Sequence, residues 1–318
     1  MKKIITIVLT VSILFSSFLT SCKTEDASIP ESPVTDFEYE ENADGGITIT
    51  KYIGADVAVS IPQKINAKNV TELGERAFSY SYQLKKIQIP DTVIVIEMAA
   101  FWHLQQLEKV ILSNNLKEIG NGAFESCEML SQISLSPSLT DIGNSAFKGC
   151  KSLKSVTIPK SVTSWGIDAF ANCGLERISF EEGLEFIGEA AFFNTAITKV
   201  NFPSSIKTIK RSAFAGCGSL KEVELNDGLL TVECFAFGGK SELSEITIPS
   251  TVTEITEDAF EQCVTLKSVK FEGDAPKDYA HQGDMREYML YADYTVYYHN
   301  EAQGFTSPKW CGYNTEIW

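Results

Sequence analysis

Residues 116 to 135 read Leu-Lys-Glu-Ile-Gly-Asn-Gly-Ala-Phe-Glu-Ser-Cys-Glu-Met-Leu-Ser-Gln-Ile-Ser-Leu, and residues 139 to 158 read Leu-Thr-Asp-Ile-Gly-Asn-Ser-Ala-Phe-Lys-Gly-Cys-Lys-Ser-Leu-Lys-Ser-Val-Thr-Ile. Leu116, Ile119-Gly120, Ala123-Phe124, Cys127, Leu130, Ile133 and Leu135 recur as Leu139, Ile142-Gly143, Ala146-Phe147, Cys150, Leu153, Val156 and Ile158. Working outward from this pair, the repeat Phe returns at Phe78, Phe101, Phe124, Phe147, Phe170, Phe192, Phe214, Phe237 and Phe260, at intervals of 22 or 23 residues. A fixed period of this size is the signature of a repeat solenoid. An incomplete rung stands upstream, with Val59-Ser60-Ile61-Pro62 followed by Val70 and Leu73-Gly74, so ten strands are expected.

Each part of the repeat has a physical assignment. Val156-Thr157-Ile158 is β-branched and alternates with period two, which predicts a short strand with Val156 and Ile158 inward and Ser155 and Thr157 outward. Pro62, Pro90, Pro159, Pro203 and Pro249 end their strands, because proline has no N–H to give to a ladder. Gly74, Gly120, Gly143, Gly166 and Gly188 are expected to supply a tight turn before Ala-Phe, and Lys210, Glu233 and Thr256 depart from that rule. One coil has nothing beneath its inward side chains until the next stacks on it, so neighbours complete the core. Strands about 4.8 Å apart would make ten rungs a face on the order of 45 Å long.

The Leu-x-x-Val-x-Ile strand, the cysteine after the Phe turn and the Ile-Gly-x-x-Ala-Phe signature resemble the BspA-like class of leucine-rich repeats over residues 45 to 272. The resemblance implies a leucine-rich-repeat right-handed coil with a parallel β-sheet on the concave face, mostly β plus turns and short helices. It also implies a surface adhesin or interaction protein, associated in that family with host matrix proteins, epithelial cells or other bacteria. The rival expectation is a surface lipoprotein that captures a glycan for a nutrient uptake system.

Residues 1 to 21 read as a signal peptide: Lys2 and Lys3, then an apolar run from Ile4 to Leu19. Leu19-Thr20-Ser21-Cys22 resembles the lipobox of bacterial lipoproteins, which implies lipidation of Cys22, and Lys23-Thr24-Glu25-Asp26 resembles a signal for the outer face of the outer membrane. The expected location is therefore an outer membrane lipoprotein exposed at the cell surface, touching membrane through its lipid alone. Residues 22 to 35 read as a flexible tether, residues 36 to 75 as an N-terminal cap with the incomplete rung, residues 76 to 272 as repeats, and residues 273 to 318 as an aromatic C-terminal cap. The Asp44-Gly45-Gly46 turn is expected to sit in a hairpin-like cap of Ile47-Thr48-Ile49-Thr50 and Asp56-Val57-Ala58-Val59. Near the other end Thr295 to Tyr298 reads as a final strand and Met285 to Tyr291 as a short helix. The aromatic residues there either cover the open core or also serve as a sugar-stacking platform.

The net charge of −15 argues against a nucleic-acid partner, which needs clustered Lys and Arg. Histidine occurs only at His103, His281 and His299, in no zinc-protease or nucleophile-base spacing, and pairs such as Glu181-Glu182 read as solvated turns. No catalysis, cofactor or metal is expected. Cys127, Cys150, Cys173, Cys217 and Cys263 form a ladder three residues after the Phe, with buried free thiols, disulfides between adjacent rungs and a metal site as its three readings, in that order of preference. Cys234 and Cys311 fall off it. On the outward side of the strands Lys86, Lys109, Arg177 and Lys199 lead, while Glu222, Glu224 and Glu245 follow. That order is either a solvated face or a ligand groove with polarised charge for a protein or polymer.

Overall fold

The computed structural model describes residues 29–276, 294–311 and 313–318. The leader, Cys22 and the helix expected over Met285 to Tyr291 lie outside these residues.

The chain is a β-solenoid, and β-branched residues with a terminating proline build its principal line of short parallel strands. The line runs through Ala58–Ser60, Lys86–Gln88, Lys109–Ile111, Ser155–Ile158, Arg177–Phe180, Lys199–Asn201, Glu222–Glu224, Glu245–Ile248 and Ser268–Phe271. Register matches the repeat: Val59 stands beside Ile87 and Ile87 beside Val110, and Ile246 stands beside Val269. Between Lys109–Ile111 and Ser155–Ile158 the rung at 132–135 contributes only an isolated bridge from Gln132 to Lys109. Hydrogen-bonded pairing also lapses between Arg177–Phe180 and Lys199–Asn201, and again before Glu245–Ile248. The sheet is therefore a row of short sheets, not one unbroken ladder.

The Ile-Gly segment of each coil makes a second line of two-residue parallel strands. It runs through Val95–Ile96, Glu118–Ile119, Asp141–Ile142 and Ser164–Trp165, then resumes as Phe186–Ile187, Thr208–Ile209, Thr231–Val232 and Glu254–Ile255. A third column of backbone bonds runs through the Phe turns, where the N–H of Phe147 donates to Ala169 at 2.8 Å and that of Phe170 to Ala191 at 2.8 Å. All nine repeat phenylalanines are fully buried. Their rings form a continuous stack from Phe78 to Phe260, with centroids 4.9 to 6.0 Å apart. Tyr52 continues the stack below Phe78 at 5.5 Å.

The glycines act differently from expectation. Gly120, Gly143 and Gly166 do not turn the chain through a left-handed conformation; they let neighbouring coils approach. A Cβ on Gly166 would stand 2.0 Å from the backbone nitrogen of Asn144. The left-handed residue comes two positions later, at Arg76, Ala99, Gly122, Ser145, Asp168, Ala190, Ser212 and Phe235, with φ between 50° and 63°. Glu233, one of the departures from glycine, accepts the N–H of Arg211 from the preceding coil at 2.9 Å, and Glu97 does the same for Glu75 at 2.9 Å.

The ends also differ. The N-terminal hairpin pairs Phe37–Glu41 with Ile47–Tyr52, antiparallel across the Asn42–Gly46 turn, while Ala58–Ser60 belongs to the principal line. The chain joins the fold at Ser32, earlier than the expected boundary at 36. Ser32 is buried, donates its N–H to Ser60 O at 2.9 Å and accepts the N–H of Ser60 on its hydroxyl, covering the first strand edge. At the far end Thr295–Tyr298 is not the last strand. Tyr313–Ile317 stacks parallel beyond it, and Lys309–Trp310 folds back antiparallel as a two-residue edge. Helix among the described residues is confined to the 3-10 turns Val34–Asp36 and Glu257–Phe260.

Candidate functional site

Parallel register places the outward strand residues in one row. Lys86 stands beside Lys109, Ser155 beside Arg177, Lys199 beside Glu222, Asn201 beside Glu224 and Glu245 beside Ser268. Lys109 is half-buried and the other six singled-out residues are exposed. The charges are not left as two opposed ends, however. The Lys199 Nζ lies 2.7 Å from both Glu222 Oε1 and Glu224 Oε1, and Lys270 pairs with Glu245 at 3.0 Å. The hydrogen bond from Glu222, then that from Glu224, raises the pKa of Lys199, while Lys199 lowers that of Glu224. Lys199, Glu222, Glu224 and Glu245 thus meet cross-strand counterions, and the polarity is milder than the sequence order suggests.

Where the strand line is interrupted, the same face opens into grooves. One of about 420 Å³ is floored by Ile133, Leu135 and Val156, and hydroxyls of Ser134, Ser155, Thr157 and Ser179 line it beside Arg177 and Glu181. A second of about 550 Å³ continues it toward Lys109 and Asn114. Ile133, Leu135, Ile178 and Phe180 are only half-buried, unlike Val200 or Ile246 at equivalent places. The repeat pattern hides this, because Ile133 and Leu135 have the same residue types as their buried counterparts.

The cysteine ladder points inward. Each thiol donates to the Phe carbonyl of the preceding coil: Cys127 to Phe101 at 3.2 Å, Cys150 to Phe124 at 3.3 Å and Cys173 to Phe147 at 3.0 Å. Cys217 and Cys263 reach Phe192 and Phe237 at 3.3 and 3.1 Å. All five are buried free thiols, and burial pushes the Cys127 thiol up to about 12 and that of Cys263 to about 11. These are poor nucleophiles, since reactivity resides in the thiolate. Cys234 and Cys311 are half-buried and off the row.

Other chemistry-bearing groups serve the coil. Glu181 accepts the N–H of Lys160, and Glu182 accepts both the N–H and the hydroxyl of Ser204. No group of three or more His, Cys, Asp or Glu among the described residues could hold a metal ion. Tyr294, Tyr298, Trp310 and Tyr313 are buried at the C-terminal end, with Tyr294 stacked on Tyr313 at 4.3 Å, so these rings cover the last coil. Trp318 is exposed between His299 at 4.8 Å and Lys270 at 5.8 Å.

Nested coils, inward Phe and Cys columns and one open strand face define a leucine-rich-repeat solenoid. Six copies of the BspA type leucine-rich repeat region match residues 58–176 and 166–277, and the chain belongs to that family. Among solved structures, a leucine-rich repeat protein from Bacteroides ovatus ATCC 8483 is 25% identical, with a TM-score of 0.68 over 90% of this chain and 76% of that one. A leucine-rich repeat protein of T. pallidum is 30% identical over 64% of this chain and 85% of that one, with a TM-score of 0.51. A leucine-rich cell surface protein from Faecalibacterium prausnitzii A2-165 is 23% identical and shares the fold at a TM-score of 0.50, over 90% of this chain and 99% of that one. No curated protein matches.

Proposed function

We propose that this is a non-catalytic binding protein, displayed at the cell surface on a lipid at Cys22, whose protein partner lies along the strand face. The observation that carries the reading is the line of short strands that presents outward side chains coil by coil from Lys86 to Glu245, beside grooves floored in part by the half-buried Ile133 and Leu135. Stacked repeats offer such extended surfaces to partners. The association of BspA-like repeats with host matrix proteins, which the family resemblance implies, favours a protein ligand.

Because Lys199 already meets Glu222 and Glu224, the test is placed on the other three cations of the outward row, Lys86, Lys109 and Arg177. Exposed pairs are each worth about 1 kcal/mol or less and are screened by salt, so the test combines them. Reversing all three to Glu should weaken binding to an immobilised panel of extracellular-matrix proteins about tenfold or more. Reversing Lys64, Lys117 and Lys207 should leave it near wild type. Equal losses in the two triple variants would place the binding surface elsewhere.

The anchor has its own test. Cys22→Ala should move the protein from membrane to soluble fractions, and protease added to intact cells should remove wild type. Retention of the variant in membranes, or full protection from protease, would overturn that part of the proposal.

A further inference from the structure

The Phe turn is built nine times, so each coil serves as a control for the others. One residue after the Phe stand Ser79, Trp102, Glu125, Lys148, Ala171, Phe193, Ala215, Gly238 and Glu261, and the turn closes with all of them. Four residues after it stand Tyr82 and then Gln105, Glu128, Lys151, Gly174, Ala196, Gly218, Ser241 and Val264. The fold places no demand for a ring at these positions. Yet the first two full coils put Trp102 and Tyr82 at these positions, with Tyr80 two residues after its Phe, and the three are 40%, 56% and 68% exposed.

The rings are held in an ordered arrangement on adjacent coils, which the bond from Phe78 N–H to Ala100 O ties together at 2.8 Å. Tyr80 and Tyr82 meet edge to face at 6.5 Å. Arg76 reaches across from its coil to place its guanidinium 5.8 Å from the Trp102 ring. His103 lies 5.3 Å from Trp102, and its Nε2 is 3.3 Å from the Gln105 amide nitrogen. His103 adopts a left-handed backbone, φ 62°, at a position where later coils carry Ser, Gly, Asn or Gln.

Flat faces interleaved with a guanidinium, an imidazole and an amide match a ligand that is apolar on its face and hydroxylated on its rim. Tyr and Trp are themselves amphipathic, with an apolar body and a polar handle. We infer that Tyr80, Tyr82 and Trp102 form a glycan-binding platform, on which pyranose rings stack while Arg76, His103 and Gln105 hydrogen-bond their hydroxyls. The platform is separate from the strand face and does not depend on the partner proposed there. Ile53 and Val57 are exposed on the preceding loop, whose Gly54 carbonyl accepts the Gln83 amide at 3.5 Å. A protein that engages them together with the rings is the competing occupant.

The test probes the protein, purified without its leader, on a printed array of defined neutral and acidic oligosaccharides, followed by calorimetry with the tightest binder. Wild type should retain at least one oligosaccharide. Trp102→Ala and the pair Tyr80→Ala with Tyr82→Ala should each weaken it about tenfold or more, and Trp102→Phe should restore most of the affinity. Melting temperatures close to wild type confirm that these exposed substitutions leave the coil intact. The reversal of Lys86, Lys109 and Arg177 should not affect glycan binding. The inference is overturned if no oligosaccharide is retained, or if Trp102→Ala binds as wild type does. It is also overturned if glycan binding is lost only with the strand-face variant, or if the rings mediate binding to a protein alone.

Discussion

Replacing Phe147 by alanine should lower the unfolding free energy by about 3 to 5 kcal/mol, as deletion of a buried aromatic ring does. The ring is fully buried at the middle of the stack, 5.2 Å from Phe124 and 4.9 Å from Phe170 and parallel to both within 6°. In a solenoid the stability of each coil comes largely from its two neighbours, so this cavity weakens two interfaces at once. The Ala146-Phe147 turn also donates to the following coil through Phe147 N–H, and Phe147 O accepts the Cys173 thiol. Urea unfolding followed by far-ultraviolet circular dichroism should show a lower midpoint, and a second transition where the weakened interfaces uncouple the two halves. An unchanged midpoint would contradict the central role of the ring column.

A comparable loss should follow from alkali alone. Desolvation holds the Cys127 thiol at about 12 and the Cys263 thiol at about 11, and raises those of Cys150 and Cys217 above their ordinary value of 9.0. Between about pH 9 and pH 12 the unfolded chain has released these protons while the folded chain keeps them. The folded state binds more protons there, so stability falls as pH rises. The stabilisation is complete below pH 9 and gone once the folded thiols ionise. At 1.36 kcal/mol per unit, Cys127 alone accounts for up to roughly 4 kcal/mol across that window. Chemical denaturation at stepped pH checks the slope. Cys127→Ala combined with Cys150→Ala should flatten it, and an equal slope in the double variant would assign the alkaline limb to other groups. The same burial predicts that a bulky thiol reagent labels these residues only on unfolding.

The interior of the coil is the part most open to sequence reading, because Ala123-Phe124, Cys127 and Leu130 meet the same surroundings in every turn and so repeat as residue types. The second strand line is obscure for the opposite reason. Glu118–Ile119 and Asp141–Ile142 are two residues long, too short to show alternation. The left-handed turn position is hidden as well, since Arg76, Ala99 and Phe235 occupy it with no glycine to mark it. At 132–135 the strand shrinks to one bridge although Ile133 and Leu135 fit the pattern, because the opening depends on how neighbouring coils stack.

The row of outward charges was legible from the two-residue period, but the sign order misled. Lys199, Glu222 and Glu224 belong to adjacent strands, and only their register shows that one lysine meets both carboxylates. The exposed rings at Tyr82 and Trp102 are obscure in the sequence because they stand at positions where the repeat has no residue preference. The informative signal there is a departure from the indifferent residues of other coils.

Hydrogen exchange of the protein with and without a bound matrix protein from the screen addresses the proposed function most directly. A partner on the strand face should slow exchange in Lys86–Gln88, Lys109–Ile111, Ser155–Ile158 and Arg177–Phe180, leaving the second strand line and the Phe turns unchanged. Protection confined to those turns or to the second line, with none in the strand row, would contradict it.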